Sequence, residues 1–420
     1  MTQVAKSAEH TDFLVAGAAL NGLTAALSLA ERGGRVVLVD PAPYARLADA
    51  SYDWRTTAVA QGSMRILDRL GAWDPAWVGG AIREIRIADA DDPRWLHYDG
   101  AALDEGELGC ITPNALLRRR LFDAVQAAPG ISLRPEAAVV DIDAGGDGVM
   151  VRLSDGGLVR ARLVVAADGR NSPLRKLAGI AERTVDYRQI SIVATAAHAL
   201  PHGGVAHERF LPGGPFAILP LPDAADDDTP AAPGPHRSSI VWTEAEDLAR
   251  RMLDLPRADF DRELARRFGG SFGDVASVGP IGSYPIRLTF AERMTAPRLA
   301  LVGDAARAIH PIAGQGFNLG IRDSAELAER VGERMTLGLD PGAPDVLGAY
   351  AAARLPDVAG LTAATDSLNR LFSNAIPPVR EARRFGLAAV QRSSYLKGMF
   401  MRHAMGLVGR SARLAGDKSV

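Results

Sequence analysis

The stretch from Leu299 to Asp323 constrains this chain more than any other. Leu299-Ala300-Leu301-Val302 is a short apolar run of the kind that forms a buried strand. Gly303-Asp304 stands at its end, where backbone can approach a ligand and a carboxylate can accept hydrogen bonds from hydroxyls. A loop with Pro311, Gly314 and Gly316 follows. Beyond it Ile321, Ala325, Ala328, Val331 and Met335 recur at helical spacing, the pattern of one buried face. Strand, acid, glycine loop and helix start thus follow one another directly. A helix N-terminus carries unpaired N–H groups and partial positive charge, so the pattern builds a corner that suits negative charge.

The N-terminal part of the chain carries a related unit. Phe13-Leu14-Val15-Ala16 reads as a strand, Gly17-Ala18-Ala19-Leu20-Asn21-Gly22 as its turn, and Leu23, Ala26, Leu27 and Ala30 as one face of a helix that Gly33-Gly34 ends. Arg35 to Val39 is the next strand, closed by Asp40. This is a βαβ unit with a dinucleotide-binding fingerprint. Gly17 serves the tight turn, Gly22 lets the helix sit close, and Asp40 is placed to accept from ribose hydroxyls. Ala19 stands where the second glycine of G-x-G-x-x-G is expected, so a methyl group narrows the approach to a pyrophosphate. A further strand, Leu163 to Ala167, runs into Asp168-Gly169-Arg170-Asn171-Ser172-Pro173-Leu174-Arg175. Asp168 is placed either to hold hydroxyls or to order the loop, and Arg170 and Arg175 could serve phosphates.

Taken in order, these motifs resemble the single-component FAD aromatic hydroxylases, the group with the p-hydroxybenzoate-hydroxylase fold. The run Pro311-Ile312-Ala313-Gly314-Gln315-Gly316-Phe317-Asn318-Leu319-Gly320-Ile321-Arg322-Asp323 is similar to the ubiquinone-biosynthesis branch of that family, as are Glu208-Arg209-Phe210 and Ser238 to Thr243. One departure is Arg307, where the family usually has His; His310 fits. The resemblance implies FAD as cofactor, with the helix start near N1 and O2 of the isoalloxazine, and NADH or NADPH as co-substrate. It implies cofactor contacts from Gly17, Gly22, Asp40, Arg55 in Asp53-Trp54-Arg55, Arg118, Asp168, Gly303, Asp304, Pro311, Gly314, Gly316 and Asn318. Asn114, beside Arg118 at the start of a helical run to Ala128, is a further choice. From the residues alone, Arg55 also reads as a surface arginine after a helix cap by Asp53. No catalytic residue is assigned; Arg307 and His310 read as shaping the loop.

The resemblance also implies the chemistry. NAD(P)H reduces the flavin, O2 adds to give a C4a-hydroperoxide, and the distal oxygen passes to an electron-rich ring. The implied substrate is a polyprenylated phenol, its tail in an apolar channel between a second sheet and C-terminal helices. A hydroxylase of a small soluble phenol and a non-catalytic scaffold subunit of a quinone-biosynthesis complex are the alternatives. The expected fold class is α/β, a Rossmann-like FAD-binding domain interwoven with a mixed or antiparallel substrate sheet. Residues 1–75, 100–180 and 280–345 are assigned to the first, 76–99 and 181–279 to the second, and 346–420 to C-terminal helices.

Composition narrows the rest. The single cysteine, Cys110, rules out an intrachain disulfide framework and a Cys-rich metal site. No G-x-S-x-G elbow occurs, and His198, His202 and His207 are too loosely spaced to read as metal ligands. Pro222 to Pro235, with Asp223 and Asp226 to Asp228, reads as an exposed hairpin connection. A net charge of −2 gives no overall pull toward nucleic acid. The charge is uneven: residues 380–420 hold nine basic and two acidic side chains, so that segment is +7 and the remainder −9. Such a tail, with Leu396, Met399 and Phe400 interleaved, either lies on an anionic membrane or a partner protein, or packs one face on its own body. No run is long enough to span a bilayer, so the expectation is a cytoplasmic protein, peripheral on the inner face of the membrane.

Overall fold

The computed structural model describes residues 8–49, 55–73, 80–90, 95–103, 106–224, 232–310, 314–372, 389–407 and positions 386 and 416. In chain order the elements are β1 (Glu9–Ala16), α1 (Leu20–Glu31), β2 (Val36–Val39), α2 (Tyr44–Ala48), β3 (Thr56–Ala60), α3 (Gln61–Arg69), β4 (Gly80–Ile82), β5 (Glu84–Asp89) and β6 (Leu96–Asp99). Then come β7 (Gly109–Pro113), α4 (Asn114–Ala127), β8 (Ile131–Arg134), β9 (Val139–Gly145), β10 (Gly148–Leu153), β11 (Leu158–Ala166), α5 (Pro173–Leu177), β12 (Glu182–His198), β13 (Val205–Leu211) and β14 (Gly214–Leu221). The chain continues through β15 (His236–Ala245), α6 (Glu246–Leu253), α7 (Arg257–Phe268), β16 (Val275–Ala291), β17 (Thr295–Ala296), β18 (Leu299–Leu301) and β19 (Arg307–Ala308). Last are α8 (Gln315–Thr336), α9 (Pro344–Phe372) and a C-terminal helix, Ser394–Ala404.

The first sheet places β18, β11, β1, β2 and β8 side by side and parallel. Its strands read as unbroken apolar runs because both faces are covered. Phe13, Val15, Leu38 and Val165 pack with Leu23, Leu27, Ile321 and Leu327 of α1 and α8. Leu14, Val37 and Val164 pack on the other side with Val149 and Val151 of the β9–β10 hairpin.

The second sheet runs β19-β16-β12-β15-β14-β13-β5-β6. Alternation divides it into two faces. Ile190, Ile192, Phe216, Ile218, Ile240 and Trp242 point outward and pack with Phe260, Leu264 and Phe268 of α7. The opposite face turns toward the first sheet. Between the two lies a small antiparallel sheet, β3-β7-β4. Thr56 Oγ1 of β3 meets Ser239 Oγ of β15 at 2.6 Å, which fixes where the halves touch.

Ile82 to Ala88 alternates as one strand would, yet the structure splits it: β4 joins the small sheet and β5 the large one. Arg83 between them donates its N–H to Gly204 O, so the chain crosses from one sheet to the other at that residue. The C-terminal helix returns to the centre. Met401, Met405 and Leu407 pack with Ile82, Leu108, Ile111 and Leu221, and Met405 O accepts from Gly62 N–H at 2.9 Å. Pro311 and most of the acidic stretch between Pro222 and Pro235 lie outside the described residues.

Candidate functional site

The nucleotide end is built by β1, α1 and β2. Gly17 has φ +101°, and a Cβ there would lie 2.5 Å from Ala167 O, so only glycine makes this turn. At Gly22 a Cβ would lie 1.6 Å from Gly17 O, which is how closely helix and turn approach. The N-terminus of α1 has no side-chain cap and no acid in its first turn, leaving its N–H groups for a ligand. Ala19 is exposed there, so its methyl group takes no space from the fold. Asp40 accepts from Ala18 N–H at 2.6 Å and from Ala42 N–H at 2.8 Å. Its carboxylate thus orders the turn first, and its remaining lone pairs face outward for hydroxyls.

The second corner forms around Gly303. Its φ is +56°, and a Cβ would lie 2.1 Å from the Asn21 amide, which is wedged between Gly303 and Gly320. Gly303 N–H donates to Asp323 Oδ2 at 3.0 Å. Asp323, fully buried, also accepts from Arg307 at 2.7 and 2.6 Å and from Arg354 Nε at 2.7 Å. Arg307 therefore has a structural use: it ties the turn to α8. Asp304 projects the other way, only partly covered, with Arg55, Arg170 and Arg307 around it. Burial raises its pKa and the three guanidinium charges oppose the rise.

Helix α8 starts at Gly314, which is left-handed with φ +60°, and a Cβ there would lie 2.7 Å from Ala58 Cβ. This N-terminus too has no side-chain cap and no first-turn acid. Gly316 in the first turn faces open space. Asn318 is used internally: it accepts from Ala60 N–H at 2.9 Å and donates to Ala58 O at 2.8 Å, lashing β3 to α8.

Other residues singled out from sequence fall into two groups. Asp168 accepts from Leu174 N–H at 3.0 Å, so it orders the loop before α5, and burial raises its pKa. Arg175 is buried and donates to Ala305 O, Arg170 O and Glu182, which removes it from any phosphate. Arg118 is also buried and reaches the carbonyls of Arg46 and Asp49. Asn114 accepts from Thr57 Oγ1, and its N–H donates to Arg55 O, placing Arg55 at the mouth of the cradle. His310 is buried, its pKa pushed down to about 4 by burial, and meets the Tyr187 ring edge-on at 5.6 Å. The Tyr187 hydroxyl donates to Asp366 of α9 at 2.6 Å. His198 and His202 bond through their ring nitrogens to Leu200 O, Ser238, Leu221 O and Gly204 N–H.

The sequence gives no site role to residues of the second sheet's inner face, although Ser238 to Thr243 carry the family resemblance. Ser191, Ser239, Thr243 and Tyr284 lie on it, paired across neighbouring strands. Burial raises the Tyr284 pKa, with Arg55 and Arg170 near enough to oppose this. The strand alternation was the available signal, but it does not say which face covers a ligand. The chain thus offers two uncapped helix N-termini, a glycine turn that a Cβ would fill, and an acid with three arginines near it. That donor set fits FAD.

Residues 10–365 match a family profile described as FAD binding domain. The chain is 47% identical over 398 residues to ubiquinone hydroxylase UbiL of Rhodospirillum rubrum, covering 94% of this chain and 89% of that one. It is 31% identical over 406 residues to 3-demethoxyubiquinol 3-hydroxylase of Escherichia coli, covering 95% and 99%. PqsL of Pseudomonas aeruginosa, solved with 2-aminobenzoylacetate, shares the fold with a TM-score of 0.75 at 23% identity, over 91% of this chain and 100% of that one.

Proposed function

Because this chain belongs to the FAD-dependent aromatic-ring hydroxylases of the p-hydroxybenzoate-hydroxylase type, in their ubiquinone-hydroxylase-like branch, we propose that it hydroxylates the ring of a polyprenylated phenol. The observation that carries this reading is the link between the Asp304 corner and the second sheet. The uncapped start of α8 follows Asp304 in the chain, and Asp304 shares Arg55 and Arg170 as charged neighbours with Tyr284 on the sheet's inner face. FAD, when bound, supplies two-electron storage from NADH or NADPH and the activation of O2. The chain's own residues bind, orient and exclude water. Gly17 and the α1 N-terminus would hold the pyrophosphate, and Asp40 the adenosine ribose. The N–H groups after Gly314 would stabilise negative charge at the ring's pyrimidine edge, and Arg55 and Asp304 would close the mouth.

The tail of the substrate runs along the seam of Ile82, Ile111, Leu221, Met401 and Met405, between the sheets and the C-terminal helix. A lipid of this kind is met at a membrane. No helix among the described residues is long and apolar enough to cross one. The C-terminal helix instead presents Tyr395, Met399 and Phe400 outward, with Lys397 and Arg402 on the same short helix, as a surface for anionic lipid.

The test begins with the purified protein's visible absorption and anaerobic addition of NADH and of NADPH. A yellow protein bleached by one of them, yielding a catechol from 2-prenylphenol in air, supports the reading. Conversion of 4-hydroxybenzoate alone would replace it with a small-phenol hydroxylase. A colourless protein that FAD does not reconstitute would overturn it in favour of a scaffold subunit.

A further inference from the structure

On the inner face of the second sheet, β5, β6 and β13 contribute Ile85, Ile87, Leu96, Tyr98, Ala206 and Phe210. Two acids interrupt this apolar surface: Asp89, buried opposite Phe210 and engaged by a partner, and Glu208. Glu208 lies opposite Ile87 on one side and Ala217 on the other, between Ala206 and Phe210 along its own strand. Its neighbours in sequence, His207 and Arg209, point to the outer face, where His207 meets Phe272 and Arg209 donates to Arg267 O. Protein surrounds the Glu208 carboxyl, and burial alone pushes its pKa up to about 8. Yet the side chain keeps partial access to space. It has no hydrogen-bond or ion-pair partner among the described residues. Elsewhere in this protein buried acids are tied down, as Asp323 and Asp357 are by arginines. A lone carboxyl in an apolar wall is costly to the fold, and such groups concentrate where a ligand completes them.

Its position in the sheet fits that use. Ser239, which touches β3 of the cofactor side, stands two strands away on the same face. Val241 is level with Glu208 and Ser239 lies two residues further along, so at the usual strand spacing and rise the separation is about 12 Å, room for one aromatic ring. Phe372 of α9 covers the neighbouring Phe210, and Met401 of the C-terminal helix joins the same apolar cluster as Ala206. Of the titratable groups on the elements packed here, Asp89 of β5 is engaged within the fold and Asp366 of α9 accepts from Tyr187. Tyr98 of β6 is un-ionised, its pKa raised to about 12 by burial. Arg402 and His403 of the C-terminal helix are exposed.

We propose that Glu208 takes hold of the substrate's ring hydroxyl, accepting its hydrogen bond and then its proton as oxygen is delivered to the ring. This rests on the hydroxylase reading above. The phenol O–H bond breaks and its electron pair stays on the ring oxygen, which makes the ring more electron-rich. The proton passes to a Glu208 carboxylate oxygen. When the new C–O bond has formed, that proton returns to the ring oxygen. The ring carbon then loses its own hydrogen as a proton to solvent, restoring aromaticity. The oxidant is O2 and the reductant NAD(P)H, as in the parent reaction.

The experiment uses the full-length holoprotein with 2-prenylphenol and its methyl ether, comparing wild type with Glu208→Gln and Glu208→Ala. FAD content reports whether each variant has folded. Binding is read from perturbation of the flavin spectrum, and coupling from catechol formed against hydrogen peroxide released. The wild type should bind the phenol at least 10-fold tighter than the ether. Its catechol formation should rise with pH through a limb near 8. Both variants should lose the discrimination and the limb, and divert most electrons to peroxide. Wild-type discrimination and pH profile in a folded Glu208→Gln protein would overturn this inference while leaving the hydroxylase reading intact. A wild type that neither binds nor converts any phenol would overturn both.

Discussion

Asp323 holds the site together from behind, and removing its charge tests that arrangement. It is fully buried and accepts from Arg307, Arg354 and the Gly303 N–H. Arg322 lies in the same cluster, paired with Asp357, so three guanidinium groups share two carboxylates. Asp323→Asn keeps the shape and an acceptor for Gly303 but leaves three buried cations against one acid. Breaking one side of a buried ion pair costs about 3–5 kcal/mol, because the stranded charge has no water to return to. Against a total stability of about 5–15 kcal/mol, that is a large fraction. For a chain of 420 residues the expected drop in melting temperature is about 3–6 °C. The assay is thermal unfolding followed by far-UV circular dichroism and by release of FAD fluorescence. FAD release should precede global unfolding, since Gly303 and α8 both lean on Asp323. A double variant with Arg307→Met should recover part of the loss, because it removes one stranded cation. The reasoning fails if Asp323→Asn melts within a degree of wild type, or if adding Arg307→Met makes it worse.

Further outcomes follow from features described above. Gly314→Ala places a Cβ 2.7 Å from Ala58 Cβ at φ +60°, which should cost about 1–2 kcal/mol and weaken FAD retention on a desalting column; full retention would refute the role of that turn. His198 and His310 are buried with pKa values near 4, below the ~6.5 of an unfolded chain. Stability should therefore be level above about pH 6.5, decline as pH falls toward 4, and lose several kcal/mol in total, visible as a falling urea midpoint between pH 7 and 4.5. Replacing Tyr395, Met399 and Phe400 together by serine should weaken co-sedimentation with vesicles containing anionic phosphatidylglycerol at least 10-fold; undiminished binding would remove the helix from the membrane reading.

The segments nearest to ligand chemistry were legible in the sequence because local backbone demands write them. A turn at φ +101° needs Gly17, and a left-handed helix start needs Gly314. Long-range partnerships were less visible. Nothing local says that Arg307 should grip Asp323, or that Asn318 should bridge to Ala58 and Ala60 across more than 250 positions. Arg175 and Arg118 look like phosphate ligands by position, yet both satisfy carbonyls in the interior. Alternation along β13 puts Glu208 opposite to His207, but only the folded sheet shows which side packs on α7 and that Glu208 lies on the other. That sheet joins β5 to β13 in parallel, a pairing no spacing rule predicts.

Met405 O holds Gly62 N–H, and Ala404 O lies beside the Gln315 amide at the start of α8. The C-terminal helix thus bonds the starts of α3 and α8, elements made far earlier in the chain. A ribosome therefore cannot deliver a working cofactor cradle in stages. Every earlier segment must wait, apolar seam open, until Met405 has left the exit tunnel, and a nascent chain that stalls before that point is a client for chaperones rather than a flavoprotein.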